Sequence, residues 1–286
     1  MDYRNELLKR ISDIVSFEDD LIDFTQKCIL PNKSDLPSLY RYMPADYYNI
    51  RNLELNQLHL SEIGYMNDIY EGLSFKSDKN YRPTINEMKD FAYIKSFSEN
   101  KYDLLMWSTY AQNYTGMCIK YDLSEATDDI LYHLYPVIYS DTKFEFNIEF
   151  ADAYSALVEM KKEIETGEGN FDESDMIFIE EVSKCFLIKS KFWKNEKEWR
   201  LMVTYAHMNR PCLDDPITFN SREIENKELY GIRYYDVDFP YAKEIYLGPA
   251  METIKKEHIK EIGARLGINV FEAKLSNEEY KLNYDD

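Results

Sequence analysis

The segment WKNEKEWR, residues 193–200, concentrates more candidate chemistry than any other part of the chain. On a strand, successive side chains alternate between faces, so Glu196, Glu198 and Arg200 are expected to share one face. If that face lines a cleft, a carboxylate there can act as an acid, a base or a hydrogen-bond acceptor. The alternative is a solvated face whose charges pair with each other, and the segment alone leaves both interpretations open.

Two further polar residues lie on predicted short strands nearer the start of the chain. Arg41 occurs in LYRYMP, and Ser61 occurs in LHLSEI after an intervening predicted helix. A guanidinium complements phosphate or carboxylate oxygens with two parallel hydrogen bonds. We therefore expect Arg41 and Ser61 to face one cavity, although a single arginine by itself is also typical of a salt bridge.

The segment NDIYEG places three oxygen-bearing side chains within five residues: Asn67, Asp68 and Glu71. Such a group can bind a metal or a ribose. A turn capped by its own Asn or Asp side chain is at least as good an explanation, because these residues stabilise turns locally.

An aromatic stripe is predicted in WSTYAQNYTG, where a helix brings Trp107 and Tyr110 to one side. A stripe of this kind is typical of a helix that packs against the core. The functional alternative is a wall on which the flat ring of a nicotinamide or an adenine stacks.

Composition and charge narrow the class of protein. The 286 residues are 44% hydrophobic and 15% aromatic, which predicts a folded chain. The net charge of −19 disfavours general binding to nucleic acids or anionic lipid. The chain has no apolar run of about 18 residues and no signal-peptide core at its start, so we expect a cytoplasmic protein with no membrane partner. The four cysteines lack metal-ligand spacing, and we expect no metal.

The hydrophobic patterns predict an α+β fold, a single mixed domain with a central, mainly antiparallel sheet over residues 38–286. A helical segment, residues 1–37, precedes it, and a helical insertion is predicted at about 145–190. Other predictions are a helix over 102–116, a strand over 192–205, an irregular segment over 206–235 and a strand–helix–strand ending.

The chain order Arg41, Ser61, Glu196-x-Glu198 resembles that of the site residues in the Arg-Ser-Glu class of ADP-ribosyltransferases. The resemblance implies that Arg41 binds the phosphates of NAD and that Ser61 lines the pocket for the nicotinamide ribose. It implies that Glu198 binds a hydroxyl of that ribose and that Glu196 orients the acceptor. Tyr110 or Trp107 then serves as the platform for a ring. A nucleotide cofactor is implied, whereas the acceptor is not.

Over residues 38–250 the segments also resemble a bacterial family known as domain of unknown function 2971 (DUF2971). The most specific segments are MWSTYAQNYTGMCIKYD and WKNEKEWR. Where this chain has Asn67-Asp68-Ile69-Tyr70-Glu71, that family usually has Asn-Asp-Pro-Phe-Glu. The family is uncharacterised, so this second resemblance implies no activity.

The sequence supports one leading hypothesis and two alternatives. The leading one is an NAD-dependent ADP-ribosyltransferase-like enzyme, for which bacterial analogues suggest a role as a toxin or phage-defence effector. The first alternative is a non-enzymatic effector or sensor that binds a partner through the Glu/Arg strand and the aromatic helix. The second is a nuclease-like hydrolase with a divalent metal, which needs clustered carboxylates. Its candidate ligands are Asp68, Glu71, Glu196 and Glu198.

Overall fold

The structure is a computed structural model that describes residues 33, 36–63, 66–71, 75–76, 92–145, 184–204, 222–226 and 232–285. The α-helices of this part are α1 (Tyr47–Glu54), α2 (Leu104–Thr109), α3 (Asp128–Tyr132) and α4 (Thr253–Leu266). The strands are β1 (Leu39–Met43), β2 (Gln57–Glu62), β3 (Phe75–Lys76), β4 (Ala92–Ser98), β5 (Met117–Tyr121), β6 (Leu134–Pro136), β7 (Ile138–Ser140), β8 (Phe144–Glu145), β9 (Ile188–Ser190), β10 (Glu198–Thr204), β11 (Arg222–Asn226), β12 (Ile232–Asp238), β13 (Ala242–Leu247), β14 (Asn269–Leu275) and β15 (Leu282–Asp285). None of these helices combines the length and apolar character needed to cross a membrane.

One large sheet organises the described residues, in the strand order β11-β12-β2-β4-β1-β5-β13-β14-β15. Its pairs are antiparallel except for β13 and β14, which run parallel because α4 connects them. β10 pairs with both β4 and β6. The predicted α+β fold with a mainly antiparallel central sheet is confirmed.

The sheet branches at β4, and this branch creates the space for the site. One edge of β4 pairs with β10 along its whole length, Ala92–Ser98. The other edge is shared between two strands: β2 pairs with Tyr93 and Ile94, whereas β1 pairs with Ser98. Among the described residues, 95–97 therefore have no strand partner on that edge. A gap opens between β1 and β2 at this point.

The branch is held by a core on each face of the sheet. Trp199, Leu201 and Val203 alternate along β10 and lie in the larger core, as the period of two predicts. Trp107 lies in the smaller core on the face that also buries Tyr42, where the two rings meet edge to face.

Two predicted boundaries and one predicted irregular segment are wrong. The helix predicted over 102–116 ends at Thr109. The strand predicted over 192–205 begins only at Glu198, because residues 191–196 form a 3₁₀ helix. The segment predicted to be irregular contains β11 and β12, which extend the sheet beyond β2.

Tertiary contacts explain the early end of α2. Gln112, Asn113 and Tyr114 all have positive φ angles, between 50° and 66°, a region that non-glycine residues rarely adopt. The carbonyl of Tyr114 accepts a hydrogen bond from the backbone N–H of Ala250 at 3.1 Å, and a Cβ atom at Gly248 would clash with the same carbonyl oxygen. The loop after β13 thus holds a turn that local propensity opposes.

Two predictions fall outside the described residues. These are the N-terminal helix and most of the helical insertion. Of the predicted insertion, residues 184–187 form a 3₁₀ helix and 188–190 form β9.

The start of α2 yields a stability prediction. The side chain of Asp103 accepts hydrogen bonds from the backbone N–H groups of Leu105 and Met106 at 2.8 and 3.2 Å. Replacing an N-cap of this kind by alanine typically costs about 1 kcal/mol. We expect Asp103→Ala to lower the free energy of unfolding in urea by about that amount. Asp103→Asn should stay close to wild type because asparagine caps equally well, and equal losses in both variants would contradict the capping role.

Candidate functional site

A cavity of about 250 Å³ lies at the gap between β1 and β2. Its walls come from β1, β2, β4, α2, residues 66–71 and residues 189–198. Most of the residues singled out in the sequence line this cavity. They are Arg41, Ser61, Asn67, Asp68, Glu71, Tyr110, Glu196 and Glu198.

β4 sets the spacing of the three residues that carry the transferase resemblance. Ser61 pairs with Ile94, Arg41 donates from Nη1 to the carbonyl of Ser96 at 2.9 Å, and Glu198 pairs with Ser98. Along a strand, two residues correspond to about 6.6 Å. The three contacts with β4 therefore follow one another at intervals of two residues.

Trp107 and Arg200 do not line the cavity. Trp107 has no exposed surface, and its indole N–H donates to the hydroxyl of Tyr284 at 3.1 Å. Arg200 is also fully buried and lies behind the cavity wall, where it contacts two of the lining carboxylates. The structure therefore leaves Tyr110 as the predicted ring platform that reaches the cavity.

A chain of buried ion pairs forms one side of the cavity. Lys189 Nζ donates to Glu196 Oε2 at 2.7 Å and to Glu198 Oε2 at 2.8 Å. Arg200 Nε donates to Glu198 Oε1 at 2.8 Å, and its two terminal nitrogens bind both oxygens of Glu71 at 2.5 and 3.0 Å. Three carboxylates facing two cations leave one net negative charge at this side.

This environment affects the protonation of the carboxylates differently. Burial alone raises the pKa of Glu198, but Arg200 and Lys189 outweigh burial and lower it to about 2. For Glu71, burial outweighs Arg200, and its pKa is raised. Glu198 is therefore a carboxylate at neutral pH, and it cannot serve as a general acid there.

Glu196 and Glu198 both reach the cavity, but not because they alternate along one strand. Glu196 ends the 3₁₀ helix, Lys197 adopts a left-handed conformation with φ 45°, and β10 begins at Glu198. Glu196 and Glu198 are thus not neighbours on one strand face, and the predicted arrangement is wrong for Glu196. The hydroxyl of Tyr110 donates to Glu196 Oε1 at 2.6 Å, and Lys189 joins the two carboxylates.

The opposite side of the cavity carries cations. Arg41 and Lys95 both line it, and neither forms an ion pair with a described carboxylate. Burial lowers the pKa of Arg41 to about 10, against an opposing effect of Tyr121. The two sides of the cavity consequently differ, with basic side chains that have no described carboxylate partner at β1 and β4 and carboxylates at β10.

Sequence reasoning missed two lysines of this site, Lys95 and Lys189. Both are buried, with relative exposures of 8% and 7%. A signal was present, because each is the single charged residue in an otherwise uncharged segment, AYIKSF or FLIKS. Lysine is almost never fully buried unless it is paired or functional.

The carboxylates do not favour the metal-dependent alternative. Both oxygens of Glu71 and one of Glu198 already accept from Arg200. The part of the chain that the structure describes has no group of three or more His, Cys, Asp or Glu side chains arranged to hold a metal ion.

Residues 106–201 match the sequence model of a family described as a protein of unknown function (DUF2971). The match confirms the resemblance to that family for this third of the chain. It includes Tyr110, Glu196 and Glu198, whereas Arg41 and Ser61 precede it. No curated protein and no solved structure matches the chain.

The ion-pair chain predicts a pH-dependent stability. The pKa of Glu198 is about 2 in the folded protein, against an ordinary value of 4.5. Its ionised form therefore stabilises the fold fully above about pH 4.5, and this stabilisation is lost as the pH falls towards 2. We expect the difference in unfolding free energy between wild type and Glu198→Gln to be large at pH 7 and smaller at pH 3.

Urea titrations at pH 7, 4 and 3 measure that difference. The exposed Glu261 on α4 supplies the control, since Glu261→Gln should have little effect at any of these pH values. A Glu198→Gln difference that does not change with pH would show that the ion pairs do not lower the pKa of Glu198.

Proposed function

We propose that this protein binds NAD in the cavity and cleaves the bond between nicotinamide and ribose, as an ADP-ribosyltransferase-like enzyme. The observation that carries the proposal is the position of Arg41, Ser61 and Glu198 around one cavity. These residues come from three separate strands, and their order along the chain is that of the Arg-Ser-Glu class.

The distribution of charge supports a ligand of this kind. NAD carries an anionic pyrophosphate and a cationic nicotinamide ring. Arg41 and Lys95 suit the pyrophosphate, and the net negative chain of Glu196, Glu198 and Glu71 suits the cationic ring and its ribose. A ligand of one charge sign would leave one side of the cavity uncompensated.

The protonation of Glu198 fits the reaction. When the bond from the ribose to nicotinamide breaks, its electron pair passes to the ring nitrogen, and nicotinamide leaves neutral without needing a proton. Positive charge develops on the ribose, where an ionised carboxylate stabilises it. Lys189 and Arg200 use two of the roughly four acceptor positions of the Glu198 carboxylate, and the rest remain for a ribose hydroxyl.

Glu196 is suited to receive the nucleophile. It lines the cavity, and its carboxylate is held by Tyr110 and Lys189 rather than by the buried Arg200. A water molecule or an acceptor side chain that attacks the ribose must lose a proton, and Glu196 can accept it or orient the attacking group.

The volume of the cavity suits the nicotinamide half of NAD, in which the reacting bond lies. Ligand pockets commonly measure about 300–1,000 Å³, and this cavity is somewhat smaller at about 250 Å³. The nicotinamide, its ribose and the pyrophosphate then lie inside, between Tyr110 and Trp193, which both line the cavity. The adenosine extends towards the mouth.

The binding-module alternative has less support. It needs the Glu/Arg strand and the aromatic helix at the surface, but Glu198, Arg200 and Trp107 have relative exposures of 3%, 0% and 0%. A cytoplasmic location, where NAD is available, and a toxin or phage-defence role are parts of the same proposal.

The direct test is release of nicotinamide from NAD, which does not depend on knowing the acceptor. We expect the wild-type protein to release nicotinamide and Glu198→Gln to do so at least about 100-fold more slowly, the effect typical of losing one electrostatic stabiliser. Adenylate-labelled NAD, added with candidate acceptors, detects transfer in the same reaction. Chromatography of the products measures both.

Two further variants distinguish a loss of catalysis from a loss of folding. Glu244 is also paired with a lysine, Lys120, but does not line the cavity, so Glu244→Gln should keep wild-type activity. Ser61→Ala changes a cavity residue outside the ion-pair chain and should raise the KM for NAD. The proposal fails if wild-type protein neither binds NAD by calorimetry nor releases nicotinamide, or if folded Glu198→Gln is as active as wild type.

A further inference from the structure

Asp68 differs from the other carboxylates of the cavity in having no basic partner among the described residues. The three glutamates that line the cavity are all bound by Lys189 or Arg200. Asp68 also lines the cavity and forms no ion pair with a described residue, although its relative exposure is only 7%. A carboxylate with so little contact with solvent normally has a basic partner or several hydrogen-bond donors.

The turn that follows Asp68 accounts for one of its two carboxylate oxygens. The backbone N–H of Tyr70 donates to Asp68 Oδ1 at 2.9 Å, and the N–H of Glu71 donates to the backbone carbonyl of Asp68 at 3.0 Å. The turn stabilised by its own aspartate, one of the two interpretations of NDIYEG, is therefore present. Oδ2 accepts no hydrogen bond from a described residue, and it is not among the buried atoms that lack one. This oxygen thus remains accessible to a ligand in the cavity.

The same turn is held next to the reacting end of the proposed ligand. Both oxygens of Glu71 bind Arg200, at 2.5 and 3.0 Å, and Arg200 also binds Glu198 at 2.8 Å. In the proposed function, Glu198 contacts the ribose that carries nicotinamide. Because Asp68 and Glu71 share one turn, Asp68 lies on the carboxylate side of the cavity, where nicotinamide is expected.

We propose that Asp68 selects the amide form of the ligand, because its Oδ2 accepts a hydrogen bond from the carboxamide N–H₂ of nicotinamide. The amide nitrogen supplies the donor that Oδ2 lacks, and the cationic ring beside the amide attracts the carboxylate. The nicotinic acid analogue of NAD has a carboxylate in place of the amide. At neutral pH that group donates no hydrogen bond, and it repels Asp68.

This inference deepens the proposed function, on which it rests for the position of the ligand, and it names the form of the cofactor that the site takes. It concerns binding rather than bond cleavage, so it can be tested with ligands that do not react. In the carba analogues of NAD and of its nicotinic acid form, a CH₂ group replaces the ring oxygen of the ribose next to nicotinamide. Both ligands therefore stay intact.

The test is calorimetric titration of the wild-type protein and its variants with these two carba analogues at pH 7.5. We expect the wild-type protein to bind the amide form at least about 100-fold more tightly than the acid form, since juxtaposed like charges oppose binding strongly.

Asp68→Asn changes what Oδ2 offers to the ligand while keeping the turn. Asparagine retains an oxygen that accepts from the N–H of Tyr70, and its NH₂ group takes the place of Oδ2, where it can donate to a carboxylate. We expect weaker binding of the amide form and tighter binding of the acid form. The preference for the amide should fall at least about tenfold, as for one lost charge-assisted hydrogen bond.

Asp122 supplies the matched control. Its Oδ1 accepts from the backbone N–H of Ser124 at 3.0 Å, with the same spacing of two residues, and Asp122 does not line the cavity. Asp122→Asn removes the same charge from the protein, and it should keep the wild-type affinity for both ligands.

The outcomes distinguish this inference from the proposed reaction. An equal loss of affinity for both ligands in Asp68→Asn, as expected if Asp68 binds a ribose hydroxyl, overturns the inference, and so does an unchanged preference. A preference that depends on Asp68, without nicotinamide release from NAD, supports the inference and overturns the reaction. If the wild-type protein binds neither carba analogue, the inference is overturned, whereas the release of nicotinamide still decides the reaction.

Discussion

Arg200 is a guanidinium without exposed surface, and its charge is tolerated because Glu71 and Glu198 bind it on two sides. Removing one member of such a buried set typically costs about 3–5 kcal/mol, since it leaves another charge uncompensated. This constraint connects distant parts of the chain. These ion pairs hold the segment before β3 against β10 and, through Lys189, against β9. The carboxylates that line the cavity therefore also stabilise the fold.

On the opposite wall of the same cavity, the basic side chains are not compensated by carboxylates of the described residues. Arg41 and Lys95 are buried or partly buried basic side chains with no described carboxylate paired to them. A folded protein keeps such groups at a cost in stability, and costs of this kind are concentrated at functional sites. On one wall the carboxylates are paired with buried basic groups, whereas on the other the basic groups have no carboxylate partner. This contrast is the strongest physical argument that the cavity binds a charged ligand.

Several residues of the site could be found from residue type and spacing. Local alternation predicts strands for Arg41, Ser61 and Glu198, and all three strands exist. The same periodicity predicts Glu196 on the strand face of Glu198, because it takes no account of a left-handed residue between them. On a helical stripe Trp107 and Tyr110 are equivalent, but the helix ends between them, and of the two only Tyr110 lines the cavity.

The sequence by itself determined the element types of much of the central sheet, though not of β11 and β12, because alternation and helical spacing are local properties of neighbouring residues. It also determined which residue types were available for chemistry. The branch at β4, the pairing of Arg200 with Glu71 across 129 residues, and the lack of partners at Lys95 were decided only by the tertiary structure. The physical reason is that strand pairing and the compensation of buried charge depend on contacts between residues far apart in the chain, and no local pattern specifies which of them meet.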